Sequence, residues 1–194
     1  MKSKAVVFGC GGLLLTEAER RFFSRADPLG LIVFARNVET PSQLSALTTE
    51  FRESVGQADA SVLVDQEGGR VQRLKPPYWR VAPAAARFGE VASRDRAKAI
   101  EAAGLNARLM AGELAEVGID TVSAPVLDLR FPGAHDVIGD RAFAGDPRIV
   151  AELGRAVADG FLAAGILVPS PLTAQKTTIS RSATLQRSER VNRL

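Results

Sequence analysis

Residues 61–74 read S-V-L-V-D-Q-E-G-G-R-V-Q-R-L, an apolar run that stops at an acid, passes two glycines and leaves on two arginines. The first four residues are short and β-branched, the signature of a strand buried on both faces, and polar groups begin where the strand ends. Asp65, Glu67, Arg70 and Arg73 therefore cluster at a strand's C-terminal tip. In parallel α/β folds that end of the sheet holds the ligand, because the loops there project side chains into a shared crevice. The plainer alternative is a Gly68-Gly69 turn whose charges form weak surface ion pairs.

The residues before this stretch repeat the pattern. Residues 5–8 (A-V-V-F) read as a first buried strand and residues 31–34 (L-I-V-F) as a second, with Ala35, Arg36 and Asn37 at the latter's tip. Thr16 with Glu19 fits a capping box, so a helix is expected to begin there, with Leu15, Ala18, Phe22 and Phe23 inward. Thr40, Pro41 and Gln43 supply an N-cap, a first-turn proline and a capping-box partner for a second helix. Its core stripe is Leu44, Leu47, Phe51 and Val55.

Beyond it, residues 75–92 are too broken by proline for a long element, and loops of that length are often functional. Tyr78 and Trp79 there suit stacking on a sugar or packing of the loop, and packing is the better fit. Residues 93–117 read as a helix with Ile100, Leu105, Leu109 and Leu114 inward, closed by Gly118. Residues 121–127 read as a fourth strand, irregular at Pro125, with Asp128 and Arg130 at its tip and His135, Asp136, Asp140 and Arg141 in the following loop. Asp146-Pro147 starts another helix, whose inward residues are Ile149, Val150, Leu153, Val157 and Phe161, and residues 166–168 begin a fifth strand after Gly165. Alternating strands and helices indicate repeated βαβ units. Gly9, Cys10, Gly11 and Gly12 lack G-x-G-x-x-G spacing, which disfavours a dinucleotide fold.

Composition narrows the function. One cysteine, Cys10, excludes an intrachain disulfide and a cysteine zinc cluster, and it reads as a small buried residue. The single histidine, His135, has no second histidine for a metal site or relay. Neither a long apolar span nor a leader peptide stands out, so no membrane partner and a cytoplasmic location are expected. The net charge of +3 belongs to residues 169–194, where five basic side chains face Glu189 alone. The preceding 168 residues carry 20 basic and 21 acidic side chains, which gives little reason to expect a nucleic-acid partner.

That last segment is rich in Ser and Thr and lacks apolar periodicity, so a disordered basic tail is expected from residue 169 onward. Residues 1–168 then form one domain of the (β/α)8 TIM-barrel type, incomplete, with about the first five β/α units. A full barrel takes about 200 or more residues. An unclosed barrel leaves two strand edges unpaired, which favours association.

Four strand ends resemble one family. L-I-V-F-A-R-N (31–37), V-D-Q-E-G-G-R-V-Q-R-L (64–74), A-P-V-L-D-L (124–129) and V-I-G-D-R-A-F (137–143) look like the bacterial family 3 β-N-acetylhexosaminidases of cell-wall recycling. The likeness covers about residues 4–167. It implies a TIM barrel that removes terminal N-acetylglucosamine from muropeptides in the cytoplasm, with retention and with no metal or other cofactor. Carried over by matching positions, Asp65 holds sugar hydroxyls, and Arg73 and Arg141 help bind substrate. A carboxylate accepting hydroxyls beside two guanidinium groups suits that task.

The chain departs from the family after about residue 167. Members continue the fifth strand into K-H-x-P-G-H-G, which supplies substrate contacts and the general acid/base, and later carry S-D-D with the nucleophile. Here I-L-V-P-S-P-L-T stands in the first place, and the second motif is absent from the 194 residues. Retaining hydrolysis needs both groups. Glu67 and Asp128 lie at the same strand ends, but the matched motifs give no reason to move the chemistry onto them. No catalytic residue is assigned, and His135 lies outside both motifs. The break inside a strand reads as a frame slip or truncated gene, giving the N-terminal part of such an enzyme, inactive alone. The alternative is a non-catalytic N-acetylglucosamine-binding or regulatory fragment.

Overall fold

The computed structural model describes residues 3–133 and 135–169. The expected disordered tail therefore lies, but for Pro169, outside the described residues. Among these residues nine strands and α-helices follow one another: β1 (Lys4–Phe8), α1 (Glu17–Ala26), β2 (Pro28–Val33), α2 (Pro41–Val55), β3 (Ser61–Val64), α3 (Ala85–Ala92), α4 (Arg96–Glu116), β4 (Thr121–Val122) and α5 (Pro147–Ala163). The strands form one parallel sheet in the order β1-β2-β3-β4. Parallel neighbours require the chain to cross back between strands, and the helices do so.

The helix starts follow from capping chemistry. Thr16 accepts from the Glu19 N–H while Glu19 accepts from the Thr16 N–H, completing the expected box. Thr40 caps α2, but the Gln43 amide oxygen accepts from the Glu39 N–H, one residue before the cap. Asp95 and Asp146 cap α4 and α5 through their carboxylates.

Alternation along the strands sorts the sheet's two faces. Leu31, Val33, Val62, Val64 and Val122 join the core under the helices, which contribute Phe23, Leu47, Phe51, Leu114 and Phe161. Each fully buried Phe or Leu there stabilises the fold by about 1.5–3 kcal/mol relative to exposure. Ile32 and Leu63 are paired across β2 and β3 and face the other way.

Several expectations need correction. β1 is partly exposed along its length, because among the described residues it pairs only with β2. In α1, Phe23 is buried, but Phe22 is 41% exposed and meets Phe8 edge-on. α4 turns Ala99, Ala103, Ala107, Met110, Ala111 and Leu114 inward, leaving Leu105 49% and Leu109 59% exposed. The cause is close packing on α5: a Cβ on Gly160 would lie 2.7 Å from the Gly104 carbonyl oxygen and 2.8 Å from the Ala107 Cβ. Helices this close accept small residues, and leucine is too large for the seam. The stretch expected to be irregular contains α3, which buries Ala86, Phe88 and Gly89. Trp79 packs as expected, whereas Tyr78 is more than half exposed. β4 is only two residues long, and beyond it Leu167 makes a single parallel bridge to Thr121 where a fifth strand was expected. Among the described residues no helix is long and apolar enough to cross a membrane.

The contact between α3 and the loop after β4 is tight, since a Cβ on Gly89 would overlap the Phe143 carbonyl oxygen. Gly89→Ala should therefore cost about 1–3 kcal/mol in urea unfolding. Gly112 in α4 is exposed with open space around it, so Gly112→Ala should instead stabilise by up to about 1 kcal/mol.

Candidate functional site

After β3 the chain makes an excursion and folds back on itself. Gly68 and Gly69 adopt φ of 94° and 55°, and a Cβ on Gly68 would run into the Pro83 carbonyl. Both positions thus need glycine. The loop is held by two buried amides. Gln66 accepts from the N–H groups of Arg73 (2.7 Å) and Leu74 (3.1 Å) and donates to the Leu74 carbonyl. Gln72 donates to the carbonyls of Leu74 and Arg80 and accepts from the Ala82 N–H. Buried amides with their bonding satisfied fix a loop in one shape.

On this support stand the charged side chains. Arg73 Nη2 donates to Asp65 Oδ2 at 2.9 Å, with both side chains about one-quarter exposed. Arg141 lies on a 3-10 turn, Gly139–Arg141, in the loop after β4. Its Nε and Nη2 donate to Glu67 Oε2 and Oε1, each at 2.8 Å, and the Glu67 side chain is only 10% exposed. Hydrogen bonding to Glu67 raises the Arg141 pKa above its ordinary value against a smaller effect of burial, and the charges of Glu67, Asp128 and Asp65 add to it. Arg70 ties down the same loop, donating to Asp140 at 2.8 Å and to the carbonyls of Asp136, Val137 and Ile138.

The geometry thus brings Asp65, Glu67, Arg73 and Arg141 together, with the exposed Asp128 carboxylate near enough to act on Arg141. Arg70, Asp136 and Asp140 belong to the clamp beside them. His135 stays apart: it is exposed, and its Nδ1 accepts from the Val137 N–H. It borders a concavity of about 380 Å³ inside the loop after β4, together with Leu129, Phe131 and Ile138, and none of the four clustered residues lines that space. Among the described residues, no three His, Cys, Asp or Glu side chains gather as a metal site.

Sequence reading placed Asn37 at a strand tip but missed the supporting roles of Gln66, Gln72 and Asn37. Gln66, Gln72 and Asn37 are all buried. Asn37 donates to the carbonyls of Cys10 and Gly12 and accepts from the Phe34 N–H, stapling the tips of β1 and β2 together. The available signal was an amide near a buried strand's end, flanked by acids at Gln66 and following an arginine at Asn37; Gln72 carried none. Cys10 is buried as expected, and burial first, then the Glu19 charge, push its thiol up to about 11 despite the opposing Arg36.

What such a cluster offers is polar recognition. Among the described residues Asp65 Oδ1 takes no hydrogen bond, and the Arg141 fork leaves N–H groups unspent on Nη1 and Nη2. Acceptor and donors held in fixed relation suit a polyhydroxyl ligand.

Known proteins share this fold. Residues 15–170 match the glycosyl hydrolase family 3 N-terminal domain. The beta-hexosaminidase of Thioalkalivibrio sulfidiphilus is 44% identical over 161 residues, covering 83% of this chain and 46% of the relative. That of Bordetella avium is 40% identical over 161 residues, covering 83% and 45%. The crystal structure of native NagZ from Neisseria gonorrhoeae superposes with a TM-score of 0.80 at 34% identity, covering 86% of this chain and 48% of that one. The same protein in complex with N-trifluoroacetyl-D-glucosamine gives the same score and identity. The chain spans about half the length of the curated relatives it matches.

Two measurements follow. Gln66→Ala strands buried donors at residues 73 and 74, so it should lower stability by at least ~2 kcal/mol in urea unfolding. Cys10 should react with iodoacetamide at pH 8 at least ~10-fold more slowly in the folded chain than in urea, because burial withholds its thiolate.

Proposed function

The chain belongs to glycosyl hydrolase family 3, and on that footing we propose that its strand-end cluster holds a non-reducing terminal N-acetylglucosamine of a cytoplasmic muropeptide. The observation that carries this reading is the convergence of Asp65, Arg73 and Arg141, residues from two separate loops, at one end of a parallel sheet. Asp65 accepts sugar hydroxyls through Oδ1. Arg73 aligns that carboxylate through Oδ2, and Arg141 presents its remaining donors to the ring. Support comes from the relatives named beta-hexosaminidase and from the Neisseria gonorrhoeae protein, which was crystallised with an N-acylated glucosamine.

Retaining hydrolysis also requires an acid/base and a nucleophile on either side of the scissile bond. In the 194 residues neither K-H-x-P-G-H-G nor S-D-D occurs, and His135 is turned to its own loop. Glu67 is committed to Arg141 through both of its oxygens. The chain by itself is thus proposed to bind the sugar without cleaving it.

Titration calorimetry with N-acetylglucosamine should show saturable binding, weakened at least ~10-fold by Asp65→Ala through loss of charge-assisted hydrogen bonds. A flat titration from folded protein would remove the binding reading. The nitrophenyl β-N-acetylglucosaminide should release no nitrophenol, and turnover abolished by Glu67→Gln would instead put the chemistry on Glu67.

A further inference from the structure

Glu67 is a nearly buried carboxylate whose two oxygens are both spent on one guanidinium, 74 residues away in the chain. Fixing a long arginine side chain costs rotamer entropy, and a planar fork on a carboxylate is the geometry that fixes it best. Without Glu67, the only other acceptor bonded to Arg141 among the described residues is the Val137 carbonyl at 3.3 Å. The competing attractions are Asp65 and Asp128, both near enough for their charges to act on Arg141. An Arg141 released from its fork would be drawn toward Asp128 and Asp65, the latter being the carboxylate assigned to the sugar hydroxyls.

We propose that Glu67 is the positioning residue for Arg141: its carboxylate forks the guanidinium so that Asp65 stays open to the ligand and the spare Arg141 N–H groups point into the crevice. This rests on the reading that the crevice holds the sugar. Both Glu67 oxygens are turned onto Arg141. Arg70 clamps the same loop through its backbone carbonyls and Asp140, so the loop stays in place when the fork is lost, and the effect of Glu67 falls on one side chain. Glutamine cannot replace it, because its amide NH₂ turns donors toward donors.

The test is a double-mutant cycle in the full 194-residue chain, read by N-acetylglucosamine affinity and by the NMR signal of the Arg141 Nε–H. Glu67→Gln should weaken binding about tenfold, Arg141→Ala by a similar factor, and the double variant by no more than either alone. The Arg141 Nε–H should exchange slowly with water in the parent chain and quickly in Glu67→Gln. Unchanged affinity in Glu67→Gln, or a full additional loss in the Arg141→Ala background, would overturn the proposal, the latter by placing Glu67 on the sugar. Should Glu67→Gln fail to fold, Arg141→Lys keeps the charge and lacks the fork. It should bind as weakly as Arg141→Ala, and parent-like affinity would overturn the proposal. A parent chain that binds no sugar, yet whose Arg141 signal loses its protection in Glu67→Gln, retracts the ligand reading and keeps the positioning role. An unchanged signal removes the positioning role whether or not sugar binds.

Discussion

Parallel pairing of β3 between β2 and β4 is the constraint on which the site depends. Parallel strands put every strand's C-terminal end on the same side of the sheet, and the loops that follow must share that rim. Asp65 leaves β3 and Arg141 follows β4, so two residues far apart in sequence are delivered to one crevice before any side-chain attraction acts. The ion pairs refine that placement. The fork on Glu67 is partly buried, and its value lies in direction more than in net stability, since desolvation offsets much of the attraction.

The support under the charges is neutral and hydrogen-bonded. Gln66 and Gln72 bind backbone groups that are buried by the returning loop, and Gly68 and Gly69 allow that loop to pass close under residues 82–84. Rigidity at this level is what keeps a carboxylate and two guanidinium groups from collapsing into a closed salt-bridge cluster. Asn37 does the equivalent work between the tips of β1 and β2.

Much of this was legible in the residues. β3 and both early N-caps followed from local chemistry, because a β-branched run, a Thr-x-x-Glu sequence and a Thr-Pro pair carry their own physics. The inward face of α4 was not legible: a size-based reading favours leucine, and only the proximity of α5 shows that alanine fills the seam. α3 was hidden because its burial comes from packing on α4, α5 and the loop after β4, including Phe143 more than fifty residues later. At the site, the motif pointed to Asp65, Arg73 and Arg141. It did not reveal which acid pairs with which arginine. Glu67 read as a spare acid, and the structure spends both its oxygens on Arg141.

A crystal structure of the chain bound to N-acetylglucosamine tests the central claim most directly. Sugar hydroxyls should lie within hydrogen-bonding distance of Asp65 Oδ1, with Arg141 beside the ring and still forked on Glu67. A sugar seated instead in the loop concavity near His135, or contacting Glu67 after Arg141 has let go, would contradict it.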